Sequence, residues 1–75
     1  MPDIMPMKPA DLLRRLNRLA VRRGLIVETR EGGNHTIVRL GERRTVVGRH
    51  PADLKTGTLR GILKQLGITP ADLED

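Results

Sequence analysis

Apolar residues recur through the first third of the chain at helical spacing. Leu12, Leu13, Leu16, Leu19 and Ala20 fall on one stripe, Pro9 suits a first helical position and Gly24 ends the pattern, which predicts a helix over Pro9 to Arg23. After Gly24 the period changes and β-branched residues become frequent. Three short strands are predicted: Leu25 to Arg30, His35 to Leu40 and Arg43 to Val47. Glu31-Gly32-Gly33-Asn34 supplies residues that tolerate positive φ for the first connection. Gly41-Glu42 has the length and leading glycine of a type II′ turn. The strands therefore form an antiparallel meander. Alternation along the middle strand puts Thr36, Val38 and Leu40 on one face and His35, Ile37 and Arg39 on the other.

A loop from Gly48 to Lys55 leads into Thr56-Gly57-Thr58. Leu59, Ile62, Leu63 and Leu66 then repeat at helical spacing up to Gly67 and predict a second helix. Thr69-Pro70-Ala71-Asp72 reads as a cap, a proline at the first helical position and an acid in the first turn, so a short final helical turn is expected. Both helices are amphipathic and the meander needs one face covered. The predicted fold is a two-layer α+β sandwich of order α-β-β-β-α, with a three-stranded antiparallel sheet and the helices on one of its faces. That architecture resembles double-stranded-RNA-binding domains, which bind through shape and through contacts to phosphates and 2′-hydroxyls. His35 and Arg39 would lie on the opposite, solvent-facing side of the sheet. Seventy-five residues fit one domain, expected over 8–75 behind a flexible segment 1–7.

Charge narrows the partners. Fourteen Lys and Arg against nine Asp and Glu give a net +5, and the isoelectric point of about 11.1 points to polyanions. The chain has no Phe, Tyr or Trp. Bases cannot stack on aromatic rings, so recognition should run through phosphates, sugars and arginine planes. The same lack argues against a basic membrane-surface helix, and Leu25-Ile26-Val27 is too short to cross a bilayer. With no cysteine there is no disulfide framework and no thiolate metal site. Residues 1–9 hold no apolar stretch able to serve as a signal-peptide core, so the expected location is cytoplasmic. His35 and His50 are not clustered with acids at ligand spacing, and no metal or other cofactor is expected.

RNA brings its own nucleophile, the 2′-hydroxyl. Cleavage needs a base to deprotonate it, an acid for the leaving 5′-oxygen and positive charge around the phosphorane. Histidine, with an ordinary pKa of roughly 6.5, can serve as either base or acid near neutral pH. His35 opens the second strand and could do so. A lone histidine there also suits a hairpin residue bonded to its neighbours. Arg39, four residues on, lies about 13 Å along an ideal strand, too far for the same phosphate but able to hold the backbone beside it. His50, in an Arg-His-Pro loop, is a possible second proton-transfer or phosphate group, or a brace for the second helix. Lys55 and the free backbone N–H groups near Thr56, Gly57 and Thr58 form a potential anion site, extended by Arg60 and Lys64; as ordinary capping the segment needs no ligand. Arg14, Arg18 and Arg22 stack one turn apart on the first helix, as a solvated face or a phosphate-contacting stripe.

Several of these residues together resemble the HicA-type, or YcfA-like, mRNA interferase toxins of toxin-antitoxin pairs. The likeness spans residues 8 to 70. It rests on Leu12-Leu13, Leu16 and Gly24, on Gly33-Asn34-His35 where the family usually has Gly-Ser-His, on Arg43-Arg44-Thr45 and His50, and above all on the block Lys55 to Ile68. Asn34 stands where the family has serine, and Val38 where it commonly has an aromatic. The resemblance implies a double-stranded-RNA-binding-domain-like fold and ribosome-independent mRNA cleavage with His35 as the catalytic histidine. It further implies a HicB-type antitoxin that covers the active site. Arg44 joins Arg39, Lys55, Thr56, Gly57, Thr58, Arg60 and Lys64 as expected RNA contacts, with Gly33 and Asn34 forming the turn that presents His35. So small and charged a chain is expected to be monomeric when free and hetero-oligomeric with its antitoxin. The rival readings are a non-catalytic RNA-binding module and, more remotely, an adaptor for an acidic protein.

Overall fold

A computed structural model of the protein describes residues 4–48 and 53–73. Helix α1 spans Pro9–Arg23, strands β1, β2 and β3 span Val27–Gly32, His35–Leu40 and Arg43–Gly48, and helix α2 spans Thr56–Leu66; a 3-10 turn follows at Pro70–Leu73. The strands form one antiparallel sheet in the order β1-β2-β3. This is the predicted α-β-β-β-α layout, and α1 and β2 have the predicted bounds.

Both helices end in the same way. Beyond α1, Leu25 donates its N–H to the Ala20 carbonyl at 2.8 Å; beyond α2, Ile68 donates to Leu63 at 3.0 Å. Each is the six-to-one bond of a Schellman cap around a left-handed glycine, Gly24 or Gly67. At Gly67 φ is +73°, a conformation that favours glycine, and a Cβ there would fall 2.8 Å from Nε of Arg43, whose side chain would have to shift. Arg43 thereby lies across the end of α2.

The first strand begins two residues later than the sequence pattern predicts and ends two residues later. Leu25 is committed to the helix cap, so ladder pairing starts only where Val27 meets Leu40. At the other end Gly32 pairs with His35, leaving a two-residue loop, Gly33-Asn34, in place of the predicted four-residue connection. Gly33 takes φ +56° while Asn34 stays at negative φ, and Gly41 leads the second hairpin loop at φ +60°. Both are the arrangement in which glycine occupies the first central position of a tight hairpin.

The predicted faces are those observed. Thr36, Val38 and Leu40 are buried, whereas His35, Ile37 and Arg39 are exposed. Val38, Leu40 and Val47 meet Leu12, Leu16 and Leu19 of α1 and Leu59, Ile62, Leu63 and Leu66 of α2 in one core. Thr45 is buried among them, and its hydroxyl donates to the side-chain carbonyl of Gln65, joining β3 to α2. Ahead of α1, Ile4 is buried and accepts a bond from the Thr56 hydroxyl at 3.1 Å, and Met7 pairs with Leu54.

The final turn closes against α1. Asp72 accepts the backbone N–H of Thr69 at 2.7 Å, the reciprocal half of a capping box, and lies 2.6 Å from the Arg23 guanidinium. Arg22 donates to the Asp72 carbonyl oxygen at 2.8 Å. The Thr69 N–H first, and then Arg23, hold the Asp72 carboxyl below its ordinary value despite partial desolvation. Among the described residues no helix is long and apolar enough to cross a membrane.

Candidate functional site

The face of the sheet turned away from the helices is a grid fixed by strand register. Residues directly opposed in an antiparallel ladder project to the same face, and every second residue joins them. The first row is Gly32, His35 and Gly48; the second is Arg30, Ile37 and Val46; the third is Glu28, Arg39 and Arg44. Rows are about 7 Å apart along the strands.

His35 is therefore held by backbone pairing on both sides. Its ring is exposed, on the face of the sheet opposite the buried Thr36, Val38 and Leu40. The tight Gly33-Asn34 turn precedes it directly, which fixes its strand position. Arg39 and Arg44 stand side by side two rows away, with Glu28 as the one acid of the grid. A concavity runs over Glu28, Thr29, Arg30, Ile37, Arg39, Glu42 and Arg44, and a second joins Arg30, Glu31, Gly32, His35, Ile37 and Val46. An exposed imidazole with Arg30 in the adjoining row and Arg39 and Arg44 two rows away can exchange protons with a bound polyanion, while the guanidiniums offset the charge of neighbouring phosphates.

The structure brings together His35, Arg39 and Arg44 but sets the other predicted contacts apart. Lys55, Thr56, Gly57, Thr58, Arg60 and Lys64 belong to the helix layer, behind the core from His35. The Thr56 hydroxyl is engaged by the Ile4 carbonyl, and no side chain caps the first turn of α2. Arg43, next to Arg44, points the other way and packs at Gly67. On α1, Arg14 pairs with Asp11 at 2.7 Å, and Arg22 and Arg23 are bound to Asp72, so these basic side chains serve contacts within the chain. His50 lies outside the described residues.

Arg30, Ile37 and Val46 were not singled out by the sequence, nor were the glycines beside His35. For Arg30 and Gly32 the signal is the register of the first hairpin, whose loop is two residues long rather than four; for Val46 and Gly48 it is the register that the two-residue Gly41-Glu42 loop sets. Among the described residues no group of three or more His, Asp or Glu side chains is placed to hold a metal ion.

The family model described as "HicA toxin of bacterial toxin-antitoxin" matches residues 13–68. The chain is 43% identical over 44 residues to the "Probable mRNA interferase HicA" of Escherichia coli O157:H7, an alignment covering 57% of this chain and 76% of that protein. The "Probable mRNA interferase toxin HicA" of Escherichia coli strain K12 matches to the same extent. No solved structure matches the chain. The matched segment runs from α1 through the whole sheet to the cap of α2, and on that evidence the chain belongs to the HicA toxin family.

Proposed function

We propose that this chain is the toxin of a type II toxin-antitoxin pair and an endoribonuclease that cleaves mRNA and so inhibits translation. The observation that carries the reading is the placement of His35. It lies on the open sheet face, framed by backbone pairing, with Arg30 in the next row and Arg39 and Arg44 in the row beyond, in a chain similar to proteins named as mRNA interferases. His35 performs proton transfer, as base toward the 2′-hydroxyl or as acid toward the leaving 5′-oxygen. The nucleophile comes from the RNA, so the chemistry needs no metal-bound water. Arg39 and Arg44 hold the phosphates that flank the cleaved bond.

The toxin works in the cytoplasm, monomeric when free. A HicB-type antitoxin neutralises it by covering the open face, where acidic side chains would meet the three arginines, in a hetero-oligomeric complex. Lys55, Thr56, Gly57, Thr58, Arg60 and Lys64 are outlying RNA contacts in this reading, reached only by RNA that passes the sheet edge.

The test is cleavage of a labelled single-stranded mRNA fragment in EDTA by the wild-type chain and by His35→Ala, both shown to be folded. Cleavage by the wild type alone supports the reading. Equal RNA binding without cleavage by either protein would assign the chain to RNA binding instead, and equal cleavage by both would place the catalyst elsewhere.

A further inference from the structure

The row that holds His35 carries no other side chain. Gly32 and Gly48 are its register partners on the two neighbouring strands. Neither has the positive φ that would demand glycine, and a Cβ built at either position would meet no heavy atom within 4 Å. Each closes its strand, where a β-branched residue would pair as well. Gly32 is exposed and leaves bare surface on one flank of the imidazole, and Gly48, half-buried, adds no side chain on the other.

The adjoining row is apolar where the face should be polar. Ile37 is 40% exposed and Val46 is 53% exposed, side by side in register, with Arg30 at the end of the row. The surface sinks between Arg30, Glu31, Gly32, His35, Ile37 and Val46. A base has two apolar ring faces, and in a chain without aromatic residues the available platforms are aliphatic side chains and the plane of a guanidinium.

Resting on the ribonuclease reading above, we propose that this hollow is a single-nucleotide subsite for unpaired RNA. The base lies on Ile37 and Val46 with the Arg30 guanidinium over it, and the ribose lies on Gly32, which brings the 2′-hydroxyl to His35. Gly32 and Arg30 are positioning residues. Ile37 and Val46 select for a splayed, single-stranded base, because a paired and stacked base cannot present its ring face to them.

Gly32→Val fills the hollow without asking anything new of the backbone. It should fold with an unchanged or higher Tm and keep its affinity for RNA, while kcat on a labelled single-stranded oligonucleotide falls roughly tenfold to a hundredfold. Arg30→Lys retains the charge but not the plane. It should lose activity on the same scale, with little change in the salt dependence of binding. Should Gly32→Val misfold, Arg30→Lys decides alone. Wild-type kcat in both folded variants, with His35→Ala inactive, would abolish the subsite and leave the nuclease standing. Full cleavage by His35→Ala would place the catalyst elsewhere, and the subsite, which is built around His35, would fall with it. A Gly32→Val protein that cleaves normally but no longer binds its antitoxin would assign the hollow to the protein partner and overturn the proposal.

Discussion

The carboxylate of Asp72 sits 2.6 Å from the guanidinium of Arg23 and 2.7 Å from the backbone nitrogen of Thr69, so one side chain both caps the last turn and ties it to the end of α1. Leu73, in that turn, is buried in the core. The tie therefore decides whether the C-terminal end of the described chain stays docked.

Its pH dependence has a definite sign. The Asp72 carboxyl is held below its ordinary value of 3.8, chiefly by the Thr69 N–H and then by Arg23. A depressed carboxylate contributes its full stability above the unfolded-state value and loses it as pH falls through the native one. Urea unfolding of the wild type and Asp72→Asn should differ most near neutral pH and converge between about pH 4 and pH 2. A constant gap across that range would show that the carboxylate charge is not what holds the turn.

Gly67→Ala should be among the most costly single-methyl changes in the chain. It forces a left-handed φ of +73° on alanine and drives the methyl against Arg43. The backbone part alone should cost about 1–3 kcal/mol. In the Arg43→Ala background the same change should cost less, since the clash is gone and only the φ penalty remains. Chemical denaturation of the four proteins measures both parts; an unchanged cost would mean that the Arg43 side chain yields freely.

The pair Thr45 and Gln65 is asymmetric. Thr45 is buried and Gln65 exposed, so Gln65→Ala strands a hydroxyl away from water, at about 1–3 kcal/mol. Thr45→Val leaves only an amide that can turn to solvent, and should cost clearly less. Equal losses in thermal unfolding would show that the Thr45 hydroxyl finds another partner.

Periodicity carried most of the architecture because the core is made of repeating aliphatics. Leu12, Leu16 and Leu19 or Leu59, Ile62, Leu63 and Leu66 can be buried together only by a helix, and a glycine stops each run. The hairpin was the harder part. In Glu31-Gly32-Gly33-Asn34 more than one pair could lead the turn, and tertiary pairing chose Gly33-Asn34. A four-residue loop would put Arg30 opposite His35; the real one puts Gly32 there. The displacement is two residues, a full strand period, so every side chain keeps its face while its neighbours change. That is why His35 and Arg39 were legible as exposed and the surroundings of His35 were not. The division of Arg43 and Arg44 between the two faces follows from the two-residue Gly41-Glu42 loop, which sets Arg43 opposite the buried Leu40. The bond from the Thr56 hydroxyl to Ile4, fifty-two residues earlier, was not legible either, because nothing in the local pattern at the start of α2 tells of it.

Arg39 and Arg44 separate holding RNA from cutting it. They face the same side as His35 but two rows away, about 13 Å along the strand, so they can meet a neighbouring phosphate and not the one at the imidazole. Replacing either by alanine should weaken binding to all single-stranded sequences alike. It should lower the slope of log affinity against log salt by about 0.7, the counterion release of one phosphate contact on a single strand. Under saturating RNA, cleavage by these variants should remain near that of the wild type, since the reacting group is untouched. His35→Ala should do the reverse, leaving the salt slope in place and abolishing turnover. Filter binding across a salt series, run beside single-turnover cleavage, reads both quantities. An arginine variant that loses turnover at saturation with its slope unchanged would bring that guanidinium to the cleaved phosphate, and would require the RNA to cross the strands rather than run along them.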